Sequence, residues 1–273
     1  MIKTLITLLS LTFIPHSIGQ NSILQTNKIE IDSILRTEYL TRILPLDDFC
    51  LFVDSEKDTI KSFIDIHSRN FSFFSVNKQD TVIIFDGKLC GGHESGIVKL
   101  YKVDKGQPHE VLSRPGEISE ILGSELLIYT YPCCAEVLNI ITPFSISTGE
   151  QIGLSHVFYS REDYYGIIRS INQDNQNGFK VNKDSKIRYS GSEFDKPMIS
   201  YCDGNIRNII GSLPMNQKGK IVKESNCKNW VLVRIDSMQT SKGYCIGEYY
   251  QRLIGYEEYI LYGWISKNDV ETE

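Results

Sequence analysis

The chain has 273 residues, a net charge of −5 and a hydrophobic fraction of 41%. This is the composition of a folded globular protein, long enough for one large domain or two ordinary ones, and it excludes a disordered or collagen-like chain. Lys and Arg together number 29 against 34 Asp and Glu, so no basic excess exists to hold a phosphate backbone and nucleic acid is not an expected partner.

Met1-Ile2-Lys3 gives a short positive start, and Leu5 to Ile14 is an apolar run broken only by Thr and Ser. Pro15 ends any helix, and Ser17 and Gly19 place small residues ahead of Gln20, which is the order of a secretory signal peptide. The apolar run is about half the roughly 20 residues that a membrane span requires. Residues 1–19 are therefore expected to be removed between Gly19 and Gln20, leaving a secreted or periplasmic product with no membrane span.

From Gln20 to about residue 171 the pattern predicts a β-rich domain. Ile29 to Leu44 is the only helix expected up to Tyr165, with Ile31, Ile34, Leu35 and Tyr39 on one face and Pro45 as its stop. Phe63 to Ile66, Phe71 to Val76, Val82 to Phe85, Ile97 to Val103 and Leu126 to Tyr131 are β-branched and aromatic runs between turn residues, as antiparallel strands are. A shift of 43 positions superposes Val82–Phe85 on Glu125–Ile128, Cys90 on Cys133, Ile97-Val98 on Ile140-Ile141 and Gly106 on Gly149. That period fits one blade of a propeller, and Phe144 to Glu150 has the strand and Thr-Gly turn that close many such repeats. No third copy follows. Two similar meanders in a sandwich or open barrel are expected ahead of a partial propeller. Residues 172–178, with no apolar side chain, read as a linker or surface turn and place a domain boundary.

Residues 179–271 carry an ordered set of features. Lys186-Ile187-Arg188-Tyr189 opens it, and a turn from Pro214 to Gly219 leads into Lys220-Ile221-Val222. Trp230-Val231-Leu232-Val233 follows, and Gly263-Trp264-Ile265 closes it. This order resembles a bacterial SH3-like domain, with Asp236 to Glu258 as an insertion before the last strand. The resemblance implies a small β-barrel that engages cell-wall peptides or docks on partner proteins. Tyr189, Tyr249, Tyr250, Tyr262 and Trp264 are the candidate contacts, because flat rings in a groove give contact area at low entropic cost. The same rings serve equally well to fill a small core.

Seven cysteines, at 50, 90, 133, 134, 202, 227 and 245, would meet an oxidising compartment after export. Disulfides are then expected, with at least one thiol left over, ahead of a zinc site built on Cys90-Gly91-Gly92-His93 and Cys133-Cys134. Neighbouring repeats would pair Cys90 with Cys133. Cys227 would pair with Cys245 across a hairpin, with Cys202 as the alternative partner. His67, His93, His109 and His156 form no metal-binding doublet, and no nucleophile elbow or phosphate loop occurs. Carboxylate neighbours such as Asp47-Asp48, Glu162-Asp163 and Glu257-Glu258 read as solvated faces. The expectation is an exported, non-catalytic binding protein for a cell-envelope peptide or protein partner, without cofactor or metal. The alternative is a cell-wall or glycan-acting enzyme with a catalytic amino-terminal domain and a targeting SH3-like domain.

Overall fold

The computed structural model describes residues 26–30, 33–43, 70–76, 80–87, 96–130, 139–159, 161–172, 177–192, 198–200, 204–206, 208–239 and 258–273. The signal-peptide segment, the strand expected at Phe63 to Ile66, most of the linker and six of the seven cysteines lie outside these residues. The protein is mainly β, with antiparallel sheets.

The first sheet takes β1 (Thr26–Ile29), β2 (Phe71–Val76), β3 (Asp80–Gly87), β4 (Ile97–Asp104) and β5 (Gln107–Pro115) in that spatial order, all antiparallel. Runs such as Val82-Ile83-Ile84-Phe85 are apolar on both faces, which a strand tolerates only where both faces are covered. One face carries Phe71, Phe73, Ile83, Phe85 and Tyr101 against Tyr39, Leu40 and Ile43 of α1 (Ser33–Ile43). An isolated helix of 11 residues is marginal in water. Burial of Leu40 and Ile43, at about 1.5–3 kcal/mol each, holds this one. Arg42 adds a tie by donating from Nη1 to the Gly106 carbonyl.

The opposite face presents Phe74, Val82, Ile84, Val98 and Leu100 to a second, eleven-stranded sheet. Its first strands are β6 (Glu117–Leu122), β7 (Glu125–Thr130), β8 (Asn139–Ser145) and β9 (His156–Phe158). The 43-residue echo thus has a structural counterpart. β3 and β7 correspond, as do β4 and β8, and Gly106 and Gly149 share a left-handed backbone with φ of 76° and 72°. The two meanders lie face to face across one core, in different sheets.

A 3-10 turn at Arg161–Asp163 leads into α2 (Tyr164–Ile171), which the sequence reading did not anticipate. Beyond it come β10 (Gly178–Val181), β11 (Ser185–Arg188), β12 (Met198–Ser200), β13 (Gly204–Ile206), β14 (Ile209–Leu213), β15 (Lys218–Glu224), β16 (Trp230–Gln239), β17 (Glu258–Ser266) and β18 (Val270–Thr272). The path through the second sheet runs β18-β10-β15-β16-β17-β9-β8-β7-β6, with β11 joining β14 to β17. β12 and β13 form a separate hairpin. No pairing closes these strands into a barrel among the described residues.

The sheet crosses the position given to the linker, because β9 pairs in parallel with β17, Ile260 opposite His156 and Leu261 opposite Val157. One face of β16 and β17 packs with β10, β11 and β14 through Phe179, Ile187, Ile210, Val233 and Leu261. The other face, carrying Trp230, Leu232, Tyr262 and Trp264, meets Leu127, Tyr129, Ile141, Phe158 and Ile167.

Gly263 makes the join of β11 to β17 feasible. A Cβ at this position would lie 2.5 Å from Ile187 Cγ1 and 3.0 Å from the Arg188 carbonyl oxygen. Gly263→Ala is expected to destabilise the protein by about 1–3 kcal/mol through overpacking. A urea melt unchanged by the substitution would show that β11 can back away from β17 at no cost.

Candidate functional site

Helix α2 turns Ile167 and Ser170 inward and Tyr165 and Arg169 outward. Its contacts reach across the second sheet. Tyr164 touches β6 through its hydroxyl, 2.7 Å from Ser119 Oγ, and β7 through an edge contact with the Tyr129 ring at 5.3 Å. Asn172, just past the helix, donates from Nδ2 to Glu120 at 3.2 Å.

Asp163 is the residue ahead of the helix, where a carboxylate ordinarily accepts from the first free helical N–H groups. It makes no such cap. One oxygen accepts from the Trp264 indole Nε1 at 2.9 Å and the other lies 2.7 Å from Lys223 Nζ. Asp163 is buried, whereas its neighbour Glu162 is exposed. The expectation of a solvated face therefore holds for Glu162 and is corrected for Asp163, because the 3-10 turn directs the two side chains apart.

Registers between strands assemble a row on this face of the sheet. Arg188 of β11 lies opposite Trp264 of β17, Trp264 opposite Leu232 of β16, and Leu232 opposite Lys223 of β15. Lys223 Nζ stands 5.3 Å from the centroid of the Trp264 ring, and the Arg188 guanidinium 5.6 Å from that of Trp230. These are the only two tryptophans in the chain, and each is covered by a cation at a distance where the ring quadrupole attracts it.

Further along α2, His156 Nδ1 and the Tyr262 hydroxyl are 2.9 Å apart. Burial, reinforced by the nearby Arg234 charge and opposed by Asp236, lowers the His156 pKa to about 3. Burial pushes Tyr262 up to about 12. A general acid or base works best with a pKa near the operating pH, and this pair is far from neutral on both sides. The pair makes a buried polar contact joining β9 to β17.

The residues named from sequence separate in space. Tyr262 and Trp264 are buried on the α2 side of the sheet, while Tyr189 is half-buried and packs against the core on the opposite face. Tyr249 and Tyr250 lie outside the described residues, as do Cys90, Cys133, Cys245 and the suggested zinc ligands. Among the described residues no cluster of His, Cys, Asp and Glu could hold a metal. Cys227 is exposed in the turn between β15 and β16 and forms no disulfide among the described residues. Hydrogen bonds, first from Ser225 and then from the Asn229 backbone, lower its pKa. Arg188, Asp163, Lys223 and His156 belong to no site that the sequence marks out. Arg188 was visible only as a strand residue. Comparison of the chain with protein-family models, curated proteins and solved structures returns no match.

Proposed function

We propose that this chain is an exported, non-catalytic binding protein whose carboxyl-terminal part is an SH3-like unit recognising a peptide or protein partner of the cell envelope. The supporting observation is the row of Arg188, Trp264, Leu232 and Lys223, with Trp230 beside it, because aromatic rings flanked by cations suit peptide recognition. The product of export begins at Gln20, and amino-terminal sequencing of material from the native host tests that start.

The deciding experiment is retention of the chain from Gln20 to Glu273 on purified peptidoglycan and on an immobilised envelope extract. The whole product is needed, since α2, β7 and β9 complete the core around both tryptophans. Retention by one of these fractions is expected, and failure on all of them removes the function. Export also gives Cys227 an oxidising environment, where we place it in a disulfide with Cys245. In host-derived protein, Cys227 is then expected to resist alkylation until a reductant is added, and immediate labelling would dismiss the pairing.

A further inference from the structure

Two cations cover the tryptophan pair, and they differ in how their charge is met. Lys223 is paired with buried Asp163. Among the described residues the Arg188 guanidinium forms neither a hydrogen bond nor an ion pair, and its Nη1 is buried without a partner. A charged donor withdrawn from water and left unsatisfied is unfavourable, and native structures rarely keep one without a use. We infer that Arg188, stacked on Trp230, is the receptor for a carboxylate on a peptide ligand. This assignment rests on the peptide-binding reading above and names the group recognised.

The surroundings hold Arg188 in a defined pose. The pairing of β11 with β14 shifts register between Ile187 and Arg188, and such a bulge re-aims the side chain that follows it. The next residues are pinned by Asn208, which is fully buried. Its Oδ1 accepts from the Ser190 backbone N–H at 3.1 Å and the Ser190 hydroxyl at 3.0 Å, and its Nδ2 donates to the Ser192 carbonyl at 2.7 Å. Gly191 passes so near the rings that a Cβ there would lie 3.1 Å from Trp230 Cβ and 3.4 Å from Trp264 Cε3. The guanidinium lies over the Trp230 ring at 5.6 Å from its centroid, and the two oxygens of a carboxylate match the fork of its N–H donors.

Charge selects the class of anion. Among the described residues Arg188 and Lys223 contribute two positive charges around the tryptophans and Asp163 one negative, so the cluster has a single positive charge to offer. A monoanionic carboxylate balances it, whereas a phosphate dianion would exceed it.

Both tryptophans belong to the cluster, so tryptophan emission excited beyond the tyrosine absorption band reports on this place. The probes are acetyl-Ala-Glu-Ala-amide, its neutral counterpart acetyl-Ala-Gln-Ala-amide, and inorganic phosphate, each titrated into the chain from Gln20 to Glu273. The acidic peptide is expected to change the emission saturably, and the neutral peptide and phosphate to bind more weakly. Arg188→Gln should weaken the acidic peptide by about tenfold or more, with Arg188→Lys between. Equal binding of acidic and neutral peptides, tighter binding of phosphate, no saturable change at millimolar acidic peptide, or unchanged affinity in Arg188→Gln would each overturn the assignment. Should Arg188→Gln fail to fold, the acidic and neutral peptides on the unaltered protein, together with Arg188→Lys, decide it. A chain retained on envelope material that does not distinguish the two peptides loses the carboxylate receptor and keeps its binding function. A chain that distinguishes them without envelope retention keeps the receptor and loses the envelope.

Discussion

Unfolding free energy is expected to fall by about 3 kcal/mol between pH 7 and pH 4 through His156 alone, given an unperturbed pKa near 6.5 and a folded value of about 3. In the unfolded chain the imidazole takes up its proton as the pH drops through 6.5, while in the fold burial beside Arg234 keeps it neutral until about 3. Across that window the unfolded state binds more protons. The contribution is therefore complete above pH 6.5 and is lost progressively as the pH falls towards 3. Carboxylates elsewhere add their own pH dependence, so the diagnostic is a difference. His156→Asn retains an amide able to serve the Tyr262 hydroxyl as donor or acceptor, and it has no proton to take up. Urea melts at neutral and acidic pH should show the variant losing less stability than the unaltered protein. Parallel losses in the two would mean that His156 is charged, or solvated, in the fold.

Asp163→Ala is expected to destabilise the protein by about 2–4 kcal/mol, because it strands a buried indole N–H and removes a charge partner of Lys223. Most of that loss belongs to the indole and to the seating of α2. The Lys223 side chain is 37% exposed, and water screens its share of the pair. Asp163→Asn keeps an acceptor for Trp264 and should lose only about 1 kcal/mol, the scale of a net hydrogen bond. Fluorescence offers a second readout, since loosening of α2 admits water to Trp264 and moves its emission to longer wavelength before global unfolding. An Asp163→Ala protein as stable as the original would mean that Trp264 finds another acceptor.

The strands of the first sheet were legible because apolar residues announce themselves when both faces of a strand are covered. Phe71–Val76 was read with its observed bounds, and Val82–Phe85 and Ile97–Val103 fall inside β3 and β4. Leu35 and Tyr39 do face the core from α1. Helix α2 escaped because Tyr164-Tyr165-Gly166-Ile167-Ile168 is aromatic, β-branched and interrupted by Gly, which is strand-like by propensity. Only packing against the second sheet makes helix the better solution, by burying Ile167 and Ser170 together. The cluster about the tryptophans was hidden for a different reason. Arg188, Trp230 and Trp264 come from three strands, and Asp163 from a segment on the far side of the linker position. Register between distant strands brings them together, and no local spacing encodes that.

Strand β17 has a further consequence, for the order in which the protein can be built. It lies among β16, β11 and β9, and it follows all three in the chain. Its parallel partner β9 precedes it by about a hundred residues, a separation that makes pairing slow because a large loop must close first. A growing polypeptide therefore emerges from the ribosome with β9, α2 and β16 already made and the strand that unites them still missing. The apolar faces of all three stay open until β17 has been made, so the second sheet assembles in a late, concerted step, and any truncation ahead of Glu258 leaves it without its central member.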